Sequence, residues 1–161
     1  FQAGFVDFPG HYTTGDAGMI DTDGFIHIMG RTDDIINVAG HRLSTGQMEE
    51  VVANHPQVVE CAVVGAADEL KGEMPVGFVV TRPNCDDYAT VHRELVASIR
   101  GDIGPIASPR SVFFVDGLPK TRSGKILRNL LRDIVNGAEI AIPQTIEDAG
   151  VIDQIKARME S

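Results

Sequence analysis

Residues 58–65, VVECAVVG, and 76–81, VGFVVT, are short β-rich apolar runs. A chain carrying two such runs has to bury them, and they read as core strands of one sheet. A loop containing Gly and Pro separates them, and a third run of the same kind occupies residues 112–115. Helical periodicity fills the intervals. Ser44 followed by Gln47 fits a capping box, and Met48, Val51, Val52 and His55 lie behind it at helical spacing until Pro56 stops the helix. Asp86 and Asp87 can start a second helix with Val91, Leu95, Ile99 and Ile103 on one face. Leu127, Leu130, Leu131 and Ile134 mark a third, with Gly137 as its C′ residue.

Upstream, residues 17–29 read AGMIDTDGFIHIM, two strand-like runs around the turn chemistry of Asp21, Thr22, Asp23 and Gly24. Polar GRTDD, residues 30–34, reads as a connector, and IINV, residues 35–38, as a short strand that stops at Gly40. The order is hairpin, connector, then β-α-β-β-α-β-α. It implies an α+β fold: a small domain over residues 33–148 with a central sheet flanked by helices, preceded by the hairpin and followed by a tail, residues 149–161, that forms a short helix.

The 161 residues leave room for one ordinary domain, or a small domain plus a piece of another. Phe1 rather than Met opens the chain and no basic-then-apolar leader stands there. The chain therefore reads as a fragment whose residues 1–32 finish a domain begun upstream. A formal net charge of −9 argues against general adhesion to nucleic acid or anionic membrane, and a hydrophobic fraction of 43% argues against bulk disorder. No apolar run approaches the roughly 18 residues of a membrane span. The two cysteines, Cys61 and Cys85, are far apart and form no C-x-x-C pair; Cys61 reads as a buried thiol. A lone disulfide is not expected without a secretion signal, which favours a reducing cytosol or organelle matrix. The five histidines show no ligand spacing, so no metal site is expected.

Three stretches carry chemistry. Five of the 14 basic residues, Lys120, Arg122, Lys125, Arg128 and Arg132, fall between 120 and 132 with no acid among them. Such a knot reads either as a site for a phosphate-bearing ligand or as the solvated start of a basic helix. It is not a P-loop, because Pro119 stands where that motif needs its first Gly and Ile126 follows Lys125. In YTTGDAG, residues 12–18, Asp16 is an acceptor-only carboxylate that can take two neighbouring sugar hydroxyls or satisfy its own turn. GRTDDIINVAGHR, residues 30–42, joins two arginines, a pair of aspartates and Gly40, where backbone can approach a ligand closely. Glu49 and Glu50 read as a solvated helix face.

In this order the motifs resemble the adenylate-forming superfamily of acyl-CoA synthetases, luciferases and peptide-synthetase adenylation domains. They are Tyr12-x-Thr14-Gly15-Asp16, Gly30-Arg31-x-Asp33-Asp34, Gly40-His41-Arg42 and Ser123-Gly124-Lys125. The resemblance covers nearly the whole chain. NVAGHRLSTG, IGPIASP and LPKTRSGKI look closest to acetyl- and propionyl-CoA synthetases, and residues 58–72 with MPVGFVV look more like propionyl-activating members.

The resemblance implies a small mobile C-terminal domain, preceded by the edge of a larger domain that holds ATP and the acyl group. Such enzymes join a carboxylate to the α-phosphate of Mg2+-bound ATP, then let coenzyme A (CoA) displace AMP. Carried over by motif, Asp16 would hold the ribose hydroxyls, Arg31 and Arg42 would lie near the nucleotide, and Asp33 would be the hinge. Lys125 would be the adenylation lysine. Gly40 and His41 would line the pantetheine tunnel, and Arg100 would meet the CoA nucleotide or remain a solvated helix-end residue. ATP, AMP, CoA and a short-chain carboxylate would be its small-molecule partners. The upstream large domain would be its protein partner, and an exposed Lys125 suggests a lysine acetyltransferase and deacetylase. Without the upstream ATP loop, the fragment alone is expected to make no acyl-CoA. Two alternatives stay open: an adenylation domain that feeds a carrier protein, although no G-G-x-S carrier site follows residue 137, and a non-catalytic nucleotide- or CoA-binding regulatory module.

Overall fold

The computed structural model describes residue 8 and residues 10–160. They fall into two compact units that divide between Ile35 and Ile36. The first is a two-stranded antiparallel hairpin, β1 (Asp16–Ile20) and β2 (Ile26–Arg31). Its turn forms where the aspartates and Gly24 promised it. Asp21 accepts hydrogen bonds from the backbone N–H groups of Asp23 (3.0 Å) and Phe25 (2.9 Å), and Gly24 takes φ +87°. The Asp21 carboxyl, also bonded to His27 at 2.7 Å, is held below its usual value by the His27 bond and then by the Phe25 amide. The 30–34 connector is more ordered than its polarity suggested: Gly30 and Arg31 finish β2, and Thr32–Asp34 form one 3-10 turn.

The second unit is a five-stranded sheet with helices on both faces. The strands are β3 (Ile35–Val38), β4 (His41–Ser44), β5 (Val58–Asp68), β6 (Gly72–Thr81) and β7 (Ser111–Phe114). The helices are α1 (Thr45–Ala53), α2 (Tyr88–Asp102), α3 (Arg128–Val135) and α4 (Gly150–Glu160). The order is β4-β3-β6-β5, and β7 runs parallel to β6. Because β5 pairs along the whole of β6, β3 and β7 share the opposite edge of β6.

β5 and β6 are longer than the two apolar runs. They continue through Gly65 and Pro75, which lie opposite each other, to a turn after Asp68. There the Asp68 carboxylate accepts from the N–H groups of Leu70 and Lys71, both at 3.0 Å, and Gly72 takes φ +81°. Pro75 is tolerated because its carbonyl faces the β7 edge, accepting from Arg110 N–H at 2.7 Å, so its missing donor costs nothing on the β5 side. β4 was not expected at all. Its two-residue turn, Ala39 and Gly40, has φ of 49° and 85°, as a type I′ hairpin requires, but Ala39 disguises it.

Over residues 61–67 and 74–80 the central strands carry no charged side chain, because both faces are covered there. Val63 and Val79 face the α1 and α2 side with Met48, Val52, Leu95 and Ile99. Val64, Val76 and Phe78 face the α3 and α4 side with Leu130, Leu131, Ile134 and Ile155. Residues 149–161, set apart above as a tail, fold up to Glu160 as α4, which places Ile152 and Ile155 inside this second core. The expected caps are present. Ser44 Oγ accepts from Gln47 N–H (3.4 Å) and Asp87 from Thr90 N–H (2.9 Å). Gly137 at φ 63° closes α3, with Gly137 N–H on Ile134 O and Ala138 N–H on Asp133 O, a Schellman arrangement.

Candidate functional site

In the hairpin unit, Asp16 and Arg31 are cross-strand partners, with Arg31 Nη1 3.8 Å from Asp16 Oδ1. A register shift between Ala17 and Gly18 sets this pair off from the regular ladder. Arg31 also donates to Thr14 O at 3.2 Å, and the Thr32 backbone N–H and Oγ1 both reach Gly15 O, at 2.7 and 2.8 Å. Gly15 has φ +76°, and a Cβ there would lie 3.2 Å from Arg31 Nη2. The glycine thus allows both the turn and the close guanidinium. A carboxylate and a guanidinium side by side, both partly open to water, suit a sugar diol next to a phosphate. The side chain of Asp33 lies outside the described residues.

In the second unit, the β3–β4 hairpin carries Gly40 at its tip and His41 and Arg42 on β4, all exposed, while Leu43 turns into the core. Apart from its two chain neighbours, no atom of the described residues lies within 4 Å of a Cβ built on Gly40. Within this chain the glycine answers to its positive φ, not to a close neighbour. Ala39 N–H reaches Lys71 O at 2.7 Å, and Asn37 N–H donates to the Glu73 carboxylate at 2.7 Å. A Cβ on Gly65 would lie 2.8 Å from the other Glu73 oxygen, so Gly65 makes the space that this carboxylate fills. Arg100 is exposed in the last turn of α2.

Lys125 sits at the end of a tight loop. Thr121 N–H donates to Lys125 O (2.8 Å), Gly124 N–H to Thr121 O (2.8 Å), and Lys125 N–H to Thr121 Oγ1 (3.1 Å). A β-bridge pairs Lys120 with Ile126 below it. Gly124 takes φ +82°, and the Lys125 side chain is exposed with no hydrogen bond or ion pair among the described residues. The backbone is fixed while the ammonium is presented to solvent.

The basic knot does not act as one patch. Lys120 pairs with Glu60 at 2.5 Å, and Arg128 forks onto Glu49. The reading of Glu49 as a solvated face is corrected: its side chain is 13% exposed and also accepts Val63 N–H at 2.9 Å. Its spacing held the signal. Thr45, Met48 and Val52 form the buried stripe of α1, and position 49 falls on that stripe. Glu60 and Glu73 gave no comparable local sign. Cys61 donates its thiol to Glu49 O (3.4 Å), and burial, reinforced by Glu49, pushes its pKa up to about 11. Among the described residues, no group of His, Cys, Asp and Glu could hold a metal. This donor set does not fit a resident Mg2+.

Residues 47–125 match the AMP-binding enzyme C-terminal domain. The chain belongs to the adenylate-forming superfamily that carries this domain. It is 54% identical, over 98% of its length, to an uncharacterized protein, PA3568, of Pseudomonas aeruginosa. It is 52% identical, over 96% of its length, to the mitochondrial acyl-CoA synthetase short-chain family member B of Dictyostelium discoideum. The chain spans about a quarter of each relative, 25% and 22%. Among solved structures, the anthranilate CoA ligase AuaEII in complex with anthranoyl-AMP superposes with a TM-score of 0.66 at 33% identity, over 78% of this chain and 24% of that one.

Proposed function

We propose that the chain is the C-terminal part of a short-chain, AMP-forming acyl-CoA synthetase. In the first half-reaction a carboxylate oxygen attacks the α-phosphorus of ATP and pyrophosphate leaves. In the second, the CoA thiolate attacks the acyl carbon and AMP leaves. Negative charge grows on phosphoryl oxygens in the first step, where a positioned ammonium lowers the barrier most. The observation that carries this reading is Lys125: an exposed cation, unpaired among the described residues, on a loop whose backbone is closed by its own hydrogen bonds.

Asp16 holds the ribose hydroxyls, and Arg31 beside it faces the nucleotide. Gly40, His41, Arg42 and Arg100 serve CoA and the phosphates. Asp33, in the 3-10 turn Thr32–Asp34, is the hinge about which the domain that follows, α4 included, rotates between half-reactions. The apolar residues that the hairpin exposes suit a face covered by the upstream large domain, which supplies the ATP loop and acyl pocket. The sequence features shared with propionyl-activating members favour propionate over acetate. Lys125 is open to an acetyltransferase, and acetylation would remove its charge. Free Cys61 and Cys85 fit a reducing compartment, the cytoplasm or a mitochondrial matrix.

The test uses the isolated chain and the full-length protein side by side, supplied with ATP, propionate or acetate, and CoA. The full-length protein is expected to release AMP only with a short-chain acid present, and the isolated chain none. AMP from the isolated chain, or none from the full-length protein with either acid, overturns the reading.

A further inference from the structure

The loop that presents Lys125 has two stems, and each is tied to a carboxylate from another element. Lys120, before the loop, pairs with Glu60 of β5. Arg128, after it, is bound to Glu49 of α1 through two parallel bonds, Nε to Oε1 at 3.0 Å and Nη2 to Oε2 at 2.6 Å. Glu49 is the more deeply placed of the two acids, and its Oε1 also takes the Val63 N–H of β5 at 2.9 Å. One carboxylate therefore joins α1, β5 and the first residue of α3 at a single point. Arg128 is only three residues beyond Lys125. The segment between them is fixed by Leu127 N–H on Pro119 O (2.8 Å) and by the Lys120–Ile126 bridge. A planar two-bond contact in a water-poor setting fixes direction as well as distance.

We propose that Glu49 is a positioning residue for Lys125: through Arg128 it sets where the loop holds the ammonium during adenylation. This rests on the reading of Lys125 as the adenylation lysine. Glu49 touches neither ATP nor the acid. Replacing it by Gln keeps its shape and its acceptor for Val63 but removes the charge and half of the fork. The first turn of α3 then loosens, and the error is carried to the tip of a four-carbon stem. A misplacement of about 1 Å costs on the order of 10²-fold in rate.

The experiment takes the full-length protein with Glu49→Gln, Lys125→Ala and the pair combined. It measures acid-dependent ATP–pyrophosphate exchange and, separately, thioester formation from supplied acyl-adenylate and CoA. Glu49→Gln is expected to lower the exchange kcat by about 10- to 100-fold, with KM for ATP and the thioester step within about twofold. Added to Lys125→Ala, it should change the residual exchange by less than about twofold, because both act through one group. Equal losses in both half-reactions, a full additive loss in the pair, or normal exchange in Glu49→Gln beside a defective Lys125→Ala overturns the proposal. Normal exchange in Lys125→Ala is a separate outcome, and it removes the functional reading on which the proposal stands. If Glu49→Gln fails to fold, Arg128→Lys decides, since it keeps the charge and loses the fork. A smaller loss confined to exchange supports the assignment, and no loss or a uniform loss refutes it.

Discussion

The β1–β2 and β5–β6 hairpins are written in similar residues and meet opposite fates. In the first, Ile20 and Ile26 face each other across the strands and are 71% and 70% exposed. In the second, Val64 and Val76 do the same at 1% and 3%. Local pattern decides that each is a strand, and cover decides what burial adds. The β5–β6 ladder has helices on both faces; a lone two-stranded hairpin is marginal in water. The candidate ligand-binding groups belong to the uncovered parts. Asp16 and Arg31 sit on the bare hairpin, and Gly40, Arg42 and Lys125 sit on edges of the packed unit where backbone is held and side chains are free.

The widest contrast is in stability. Phe78→Ala should cost about 3–5 kcal/mol in urea unfolding of the chain, whereas Ile26→Ala should stay within about 0.5 kcal/mol. Equal costs would mean that the bare hairpin is covered after all. The two stems of the Lys125 loop sharpen the same point. Arg128→Ala strands a mostly buried carboxylate and should cost about 3 kcal/mol, while Lys120→Ala, in a more open pair, should cost about 0–1 kcal/mol. Gly65→Ala comes next, at about 1–3 kcal/mol, because its Cβ must displace Glu73. Hydrogen exchange should then speed up at the Asn37 amide but not at Val63; a change at both would mean general loosening.

These regions also differ in how much of them could be read from the sequence. The strands, the Ser44 and Asp87 caps, the Gly137 stop and the exposed loop of Lys125 were legible because each depends on a few adjacent residues. β4 was not, since Ala39 occupies a left-handed position where Asn or Gly usually gives the turn away. The ends of β5 and β6 were obscured by Gly65 and Pro75, which stop strands in isolation but are accommodated opposite each other here. The basic knot looked like one phosphate patch because its acids come from elsewhere: Glu49 lies 79 residues from Arg128 and Glu60 lies 60 from Lys120. Which cations stay free is a tertiary property.

A smaller effect follows from Cys61. Its thiol is raised from 9.0 to about 11 in the folded chain, so the folded state holds its proton where the unfolded state has lost it. Stability from this group is complete below pH 9 and declines as pH rises toward 11. Alkylation at neutral pH should accordingly be slow in the folded chain and fast after urea unfolding; rapid labelling of the folded chain would contradict the burial.

The central claim is the proposed one, that Lys125 serves the phosphoryl group during adenylation. It is tested most directly by ATP–pyrophosphate exchange in the full-length protein carrying Lys125→Ala. The account predicts a loss of about 10²–10³-fold, with thioester formation from ready-made acyl-adenylate retained. Exchange at the wild-type rate, or an equal fall in both steps, would contradict it.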